Sequence, residues 1–91
     1  MGVTQDLDIR RRRALYRATH RGTKEMDVLL GRYAEAVLPG LDAGGLEQLE
    51  RLLTLPDPDL QGWILGGKSV SEDEFTDAIA AMRRFHKLDP A

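Results

Sequence analysis

Apolar residues recur along this chain at spacings of three and four, and no segment alternates with a period of two over a useful length. This pattern predicts amphipathic α-helices. It is clearest over residues 23–38, which Thr23 is placed to cap and where the apolar stripe consists of Met26, Leu29, Leu30, Tyr33, Ala34 and Val37. Gly31 interrupts the stripe at a cost of about 1 kcal/mol relative to Ala, which a close crossing with another helix would explain.

Start signals and apolar stripes predict three later helices. Asp42 is placed to cap the third, and Asp57 precedes Pro58, whose missing amide has no partner in a first turn. Ser71 and Glu74 have the spacing of a capping box before the fifth. The expected core positions of these helices are Leu46, Leu49, Leu52, Leu53, Leu60, Trp63, Ile64, Phe75, Ala78, Ile79 and Met82.

With a first helix over residues 6–20, the chain is predicted to be all-α, a compact five-helix bundle in a single domain. The later helices are expected to pack on the second. We assign residues 1–5 to a flexible N-terminus, 6–88 to the helical domain and 89–91 to a C-terminal tail. A chain of 91 residues buries about 60–65% of its unfolded surface, which suffices for one modest core.

Charge is unevenly distributed although the net charge is only −2. Residues 1–24 carry seven cations against two acids, and residues 25–91 carry six cations against thirteen acids. Helical spacing places Arg10, Arg13, Arg17 and Arg21 on one stripe, and Arg11 near the apolar flank, where its stem can cover the core while its guanidinium stays in water. The stripe is interpreted either as a solvated face or as a partner-binding face, and a basic helix could also contact nucleic acid phosphates.

The chain offers little catalytic chemistry. It has no cysteine, and His20 and His86 lie in different helices without a second ligand at metal-binding spacing. The serines belong to turns and caps, and the paired carboxylates stand in first turns, where the helix dipole explains them. No apolar run is long enough to span a membrane. We therefore expect a protein that is not an enzyme, binds no metal, does not insert into membranes and is cytoplasmic.

The corner between the first two helices combines Arg21, Gly22, Glu25 and Asp27. A glycine there can end one helix and turn the chain, and acidic residues favour the first turn of the next. Helix physics alone accounts for each of these residues, so the corner by itself indicates no function.

The motifs together resemble those of a known family. The run R-G-T-K-E-M-D at 21–27, the segment D-P-D-L-Q-G-W at 57–63 and the G-K pair at 67–68 resemble the SdhE-type family of succinate dehydrogenase assembly factors, whose hallmark is R-G-x-x-E on a five-helix domain. The resemblance covers about residues 8–85.

The resemblance implies a chaperone that binds the flavoprotein subunit of succinate dehydrogenase, and that of fumarate reductase as a related client, and promotes covalent attachment of FAD. FAD would then belong to the client and not be bound tightly by this chain. The family motif falls on Arg21, Gly22 and Glu25, with Asp27 as the following acid, and Arg17 and Trp63 are additional candidates for client contact. The alternatives are a generic helical interaction domain and a nucleic-acid-binding module that uses the Arg10–Arg21 stripe.

Overall fold

The computed structural model describes residues 3–88, with side chains described from Asp6 onward. It contains five α-helices: α1 Val3–Thr19, α2 Lys24–Val37, α3 Ala43–Leu53, α4 Asp57–Ile64 and α5 Thr76–Phe85. Two 3-10 turns, Leu38–Gly40 and Asp73–Phe75, precede α3 and α5, and there is no strand between residues 3 and 88. The predicted all-α fold with five helices is therefore confirmed.

The ends of the described segment bear on the expected domain bounds. Helix α1 begins at Val3, three residues before the predicted start, so the assigned flexible N-terminus overlaps with this helix. Residues 1 and 2 and the assigned tail at 89–91 lie outside the described residues. The domain bounds stay a prediction. By its contacts, the chain forms one unit that ends at Thr54 and a second that begins at Leu55.

In the first unit, α1 packs against both α2 and α3. Its buried face is narrow and consists of small residues, Ala14 and Ala18, which are almost inaccessible to solvent. Small side chains allow neighbouring helices to come close. Helix α3 was predicted to pack on α2. This prediction is wrong, since the principal neighbour of α3 is α1.

Gly31 lies where α2 crosses α1. A Cβ atom at this position would stand only 2.8 Å from Cγ2 of Thr19, closer than side chains tolerate. The close crossing that the sequence suggested is therefore present, and it explains why α2 carries a glycine at an otherwise unfavourable central position.

Both caps predicted in this unit are formed. The Thr23 hydroxyl accepts a hydrogen bond of 3.2 Å from the amide of Met26, and the Asp42 carboxylate accepts one of 2.8 Å from the amide of Gly45. Each satisfies a free donor in the first turn of its helix. The caps position the helices whose buried residues form the core of this unit, namely Met26, Leu30, Ala34, Leu38, Leu46, Leu49, Leu52 and Leu53.

The second unit contains α4 and α5, which contact each other. Helix α4 begins at Asp57 itself, with Pro56 as N-cap, so Pro58 lies one position further into the helix than predicted. Gly67 ends the following turn with a φ of 71°, a left-handed conformation that favours glycine. The buried residues of the unit are Leu60, Trp63, Ile64, Phe75, Ile79 and Met82.

The predicted capping box before α5 is wrong. Residues 73–75 form a 3-10 turn instead, in which the Phe75 amide donates to the Glu72 carbonyl at 3.0 Å, and α5 starts only at Thr76. Phe75 is buried. The tighter turn satisfies the backbone while it brings the aromatic ring into the core, and this burial outweighs the local capping preference.

Candidate functional site at the corner between the first two helices

Residues 20–23 connect α1 to α2 and form the corner at which the hallmark residues meet. Gly22 and Glu25 are exposed, whereas Arg21 and Asp27 are half-buried. The two exposed positions lie on the surface of the first unit, where another protein can reach them. The corner is therefore a surface feature, as a docking site requires.

Asp27 forms hydrogen bonds to the backbone of the corner. Its Oδ1 atom accepts a hydrogen bond from the backbone amide of Arg21, and its own amide donates to the Thr23 carbonyl at 3.0 Å. Its position in the first turn of α2 also suits a negative charge. The side chain thus links the end of α1 to the start of α2, which is a structural task within the chain.

Arg21 reaches a different element. Its Nη1 atom donates a hydrogen bond of 2.8 Å to the carbonyl oxygen of Leu53, the last residue of α3. Carbonyls in the last turn of a helix lack partners within the helix, and the negative end of the dipole attracts cations. Arg21 therefore connects the corner to α3, a long-range contact that neither local helix physics nor the family resemblance predicted.

The N-terminal arginine run is largely tied to its own unit. Arg10 forms a forked contact with Glu50 of α3, at 2.6 Å from Nη2 to Oε1 and 3.2 Å from Nε to Oε2. This hydrogen-bonded guanidinium lowers the pKa of the Glu50 carboxyl, and the carboxylate raises that of Arg10. Arg11 donates to the Leu41 carbonyl at 3.0 Å and to Asp8 at 3.1 Å. These two arginines are structural and not available as a free basic face.

Three further arginines remain directed at solvent. Arg12, Arg13 and Arg17 are exposed. Among the described residues, no carboxylate forms an ion pair with any of them. The arginines of α1 therefore fall into two groups. Arg10 and Arg11 form contacts within the first unit, and Arg12, Arg13 and Arg17 face solvent.

An aromatic pair lies on the outward side of α1. The rings of Tyr16 and His20 stack with their centroids 3.8 Å apart and their planes at 15°. His20 Nδ1 also lies 2.8 Å from the Tyr16 carbonyl oxygen and 3.1 Å from the Thr19 hydroxyl oxygen. This pair was not predicted, although its spacing of four residues is the spacing at which side chains of a helix meet.

Trp63 lies in α4 of the second unit. Only 7% of its area is accessible, so its ring packs in the core of that unit, as its apolar spacing predicted, and this burial explains the tryptophan by the large apolar area that it covers. Its contact with a client stays a prediction.

Two other structural properties concern chemistry and membranes. Within residues 6–88, no three histidine, aspartate or glutamate side chains come together in an arrangement that could hold a metal ion. No helix between residues 3 and 88 combines the length and the apolar character needed to cross a bilayer.

Five helices and a corner that exposes Gly22 and Glu25 define a small all-α protein. The chain belongs to the family described as flavinator of succinate dehydrogenase, which it matches over residues 12–86. The match includes the corner, α2, α3, α4 and α5, so it covers both units.

Curated relatives agree with this family. The chain is 40% identical over 82 residues to the FAD assembly factor SdhE of Acetobacter pasteurianus, covering 89% of this chain and 75% of that protein. It is 35% identical over 80 residues to the mitochondrial succinate dehydrogenase assembly factor 2 of Dictyostelium discoideum, covering 88% of this chain but only 57% of that protein. The FAD assembly factor SdhE of Pseudomonas aeruginosa is 41% identical over 51 residues, 56% of this chain and 61% of that protein. No solved structure matches the chain.

Proposed function

We propose that this protein is an assembly factor that binds the flavoprotein subunit of succinate dehydrogenase and promotes covalent attachment of FAD to it. The names of the relatives support the process, since they are FAD assembly factors or succinate dehydrogenase assembly factors. The observation that carries the proposal to particular residues is the corner itself. It exposes Gly22 and Glu25 while Asp27 and Arg21 fasten it from inside.

In this proposal the chain acts as a helper and not as an enzyme. FAD stays with the client, which performs the attachment, and the helper holds the client in the arrangement that brings its attaching side chain to the flavin. A rigid corner suits that task, because little conformational freedom is lost when a preorganised surface binds.

Each exposed corner residue has a distinct part in the proposed contact. Gly22 has no side chain, so a client backbone can approach the bend closely. Glu25 can accept hydrogen bonds from client amides or cations. The flavoprotein subunit of fumarate reductase is proposed as a second client, and the cytoplasm as the place where these encounters occur.

The test is covalent flavin on the client. The flavoprotein subunit would be produced in cells that lack the natural factor and carry wild-type protein, Gly22→Arg, Glu25→Ala or the matched control Glu35→Ala. Glu35 is an exposed glutamate on the same helix. In-gel flavin fluorescence of the denatured client should fall at least tenfold with the two corner variants and stay at the wild-type level with the control. Wild-type fluorescence with both corner variants would contradict the proposal.

A further inference from the structure

The outward side of α1 carries a second surface that the hallmark residues do not explain. Its members follow at spacings of four, three and four, which places them on one side of a helix. We define the α1 outer face by these residues: Ile9, Arg13, Tyr16 and His20. At a rise of 1.5 Å per residue, the face extends about 16 Å along the helix. It ends directly beside Arg21 and the corner.

The α1 outer face exposes apolar and aromatic area. Tyr16 is 62% accessible and Ile9 is 40% accessible. Tyrosine and arginine are prominent among residues that dominate binding energy at protein interfaces. Because Tyr16 is stacked on His20 and the histidine is bonded to the backbone, the ring is already ordered before any partner arrives, which reduces the entropy lost on binding.

The charge of this face is not neutralised within the unit. Arg10 and Arg11 form ion pairs with carboxylates, but no carboxylate of the described residues forms one with Arg13. An open recess of about 470 Å³ lies at the far end of the face and is lined by Asp6, Ile9, Arg10 and Arg13. An arginine beside an exposed tyrosine and an exposed isoleucine fits a partner segment that combines carboxylates with an apolar side chain.

The small exposed area of the corner indicates that a client must also contact other residues of this protein. A stable protein complex buries about 800 Å² on each partner and uses about 20–30 residues a side. The two exposed corner residues, Gly22 and Glu25, are far too few to form an interface of this size. The α1 outer face adjoins them in sequence, because its last member, His20, is also the first residue of the corner.

From these observations we infer that the α1 outer face is the second part of the client-docking surface and receives an acidic segment of the flavoprotein subunit. This inference rests on the proposed function. It assigns Ile9, Arg13, Tyr16 and His20 to binding, and it separates them from Arg10 and Arg11, which brace the first unit.

The experiment measures the dissociation constant of the purified factor for the flavoprotein subunit that lacks covalent flavin. Tyr16→Ala should raise the dissociation constant about tenfold. For Arg13, the series Arg13→Gln and Arg13→Glu should weaken binding in that order, since the first removes an attraction and the second adds a repulsion. Added salt should reduce the difference between the two. Matched controls are Arg84→Glu and Phe85→Ala, exposed residues at the end of α5, which should bind like wild type.

The outcomes separate the inference from the proposed function. Weakened binding by the α1 variants together with unchanged controls supports the inference. If Glu25→Ala weakens binding while all α1 variants bind like wild type, the inference fails and the proposed function stands. If the wild-type factor does not bind the client at all, the proposed function fails as well. Preferential binding of duplex DNA or single-stranded RNA, lost in Arg13→Glu, would overturn the assignment of the face to a protein partner.

Discussion

The guanidinium of Arg21 donates a 2.8 Å hydrogen bond to the carbonyl of Leu53, and so connects the corner to the end of α3. The residues are 32 positions apart, which makes the bond a tertiary contact of the first unit. A hallmark residue therefore has a task in the free protein before any client is present. Its effect on a client would combine direct contact with the support of Gly22 and Glu25.

Arg21→Ala should lower the free energy of unfolding by about 1–2 kcal/mol, because it removes a charge-assisted hydrogen bond at a helix end. For a domain of this size that corresponds to a fall in Tm of roughly 4–15 °C. Arg21→Lys should recover part of the loss, since it keeps the charge but not the fork. Urea unfolding followed by circular dichroism measures both variants. Equal stability of wild type and Arg21→Ala would contradict a structural role for this bond.

Gly31→Ala should destabilise the protein although alanine is the better helix former. The new Cβ would meet Thr19 Cγ2 at 2.8 Å, and overpacking of this kind costs about 1–3 kcal/mol. Thr19→Ser removes that methyl group while keeping the hydroxyl that donates to the Leu15 carbonyl. In the Thr19→Ser background, Gly31→Ala should therefore be neutral or stabilise by up to about 1 kcal/mol.

The double-mutant cycle for these two positions measures the contact itself. Urea unfolding gives the change in free energy of unfolding caused by Gly31→Ala in the wild-type background and in the Thr19→Ser background. We expect the two changes to differ by more than about 1 kcal/mol, the lower end of the usual cost of overpacking. The same destabilisation in both backgrounds would mean that the glycine is needed for another reason.

Stability should depend on pH through Glu50. The Arg10 guanidinium lowers the pKa of this carboxyl from its ordinary value of 4.5. A group with a lowered folded-state pKa contributes stability above its unfolded pKa and loses it as the pH falls through the folded value. The contribution of the pair should therefore be complete above about pH 5 and should decline below pH 4.5.

Glu50→Gln tests this dependence. The variant should be less stable than wild type at pH 7, and the gap should narrow as the pH is lowered below 4.5. Arg10→Gln should give a similar profile, and the double variant should lose little more than either single one, since they share one interaction. A gap that is constant from pH 7 to pH 3 would show that the ion pair does not set the difference.

Local interactions explain which parts of this structure can be predicted from sequence. Five helices follow from apolar spacing, and the caps at Thr23 and Asp42 follow from residues within one turn. The contacts of Arg21 with Leu53 and of Arg10 with Glu50 cross 32 and 40 positions. No periodic pattern identifies such partners, so their structural role could not be predicted.

Two errors show how packing overrides local preference. The capping-box spacing before α5 is present, yet burial of Phe75 favours a 3-10 turn there. Helix α3 was expected to pack on α2, but the small residues Ala14 and Ala18 of α1 let both α2 and α3 approach α1 closely. The exposed positions of Gly22 and Glu25 agree with the surface expected for the hallmark, because a corner between helices leaves its short connection in solvent.

Variants of Asp27 and Glu25 should distinguish a residue that stabilises the corner from a residue that contacts the client. Asp27→Ala removes the carboxylate that accepts from the Arg21 amide and a favourable charge in the first turn of α2. It should lower the free energy of unfolding by about 2 kcal/mol and reduce covalent flavin on the client as a consequence. Asp27→Asn keeps an acceptor oxygen and should lose less of both.

Glu25→Ala should behave differently, since the side chain is exposed. Its free energy of unfolding should fall by no more than about 1 kcal/mol, the usual contribution of an exposed carboxylate in a first turn, while covalent flavin on the client falls at least tenfold. Measuring unfolding and flavin fluorescence on the same preparations distinguishes the two residues. If Glu25→Ala lost stability as Asp27→Ala does, Glu25 would belong with the residues that build the corner, and client contact would rest on Gly22 and the remaining exposed surface.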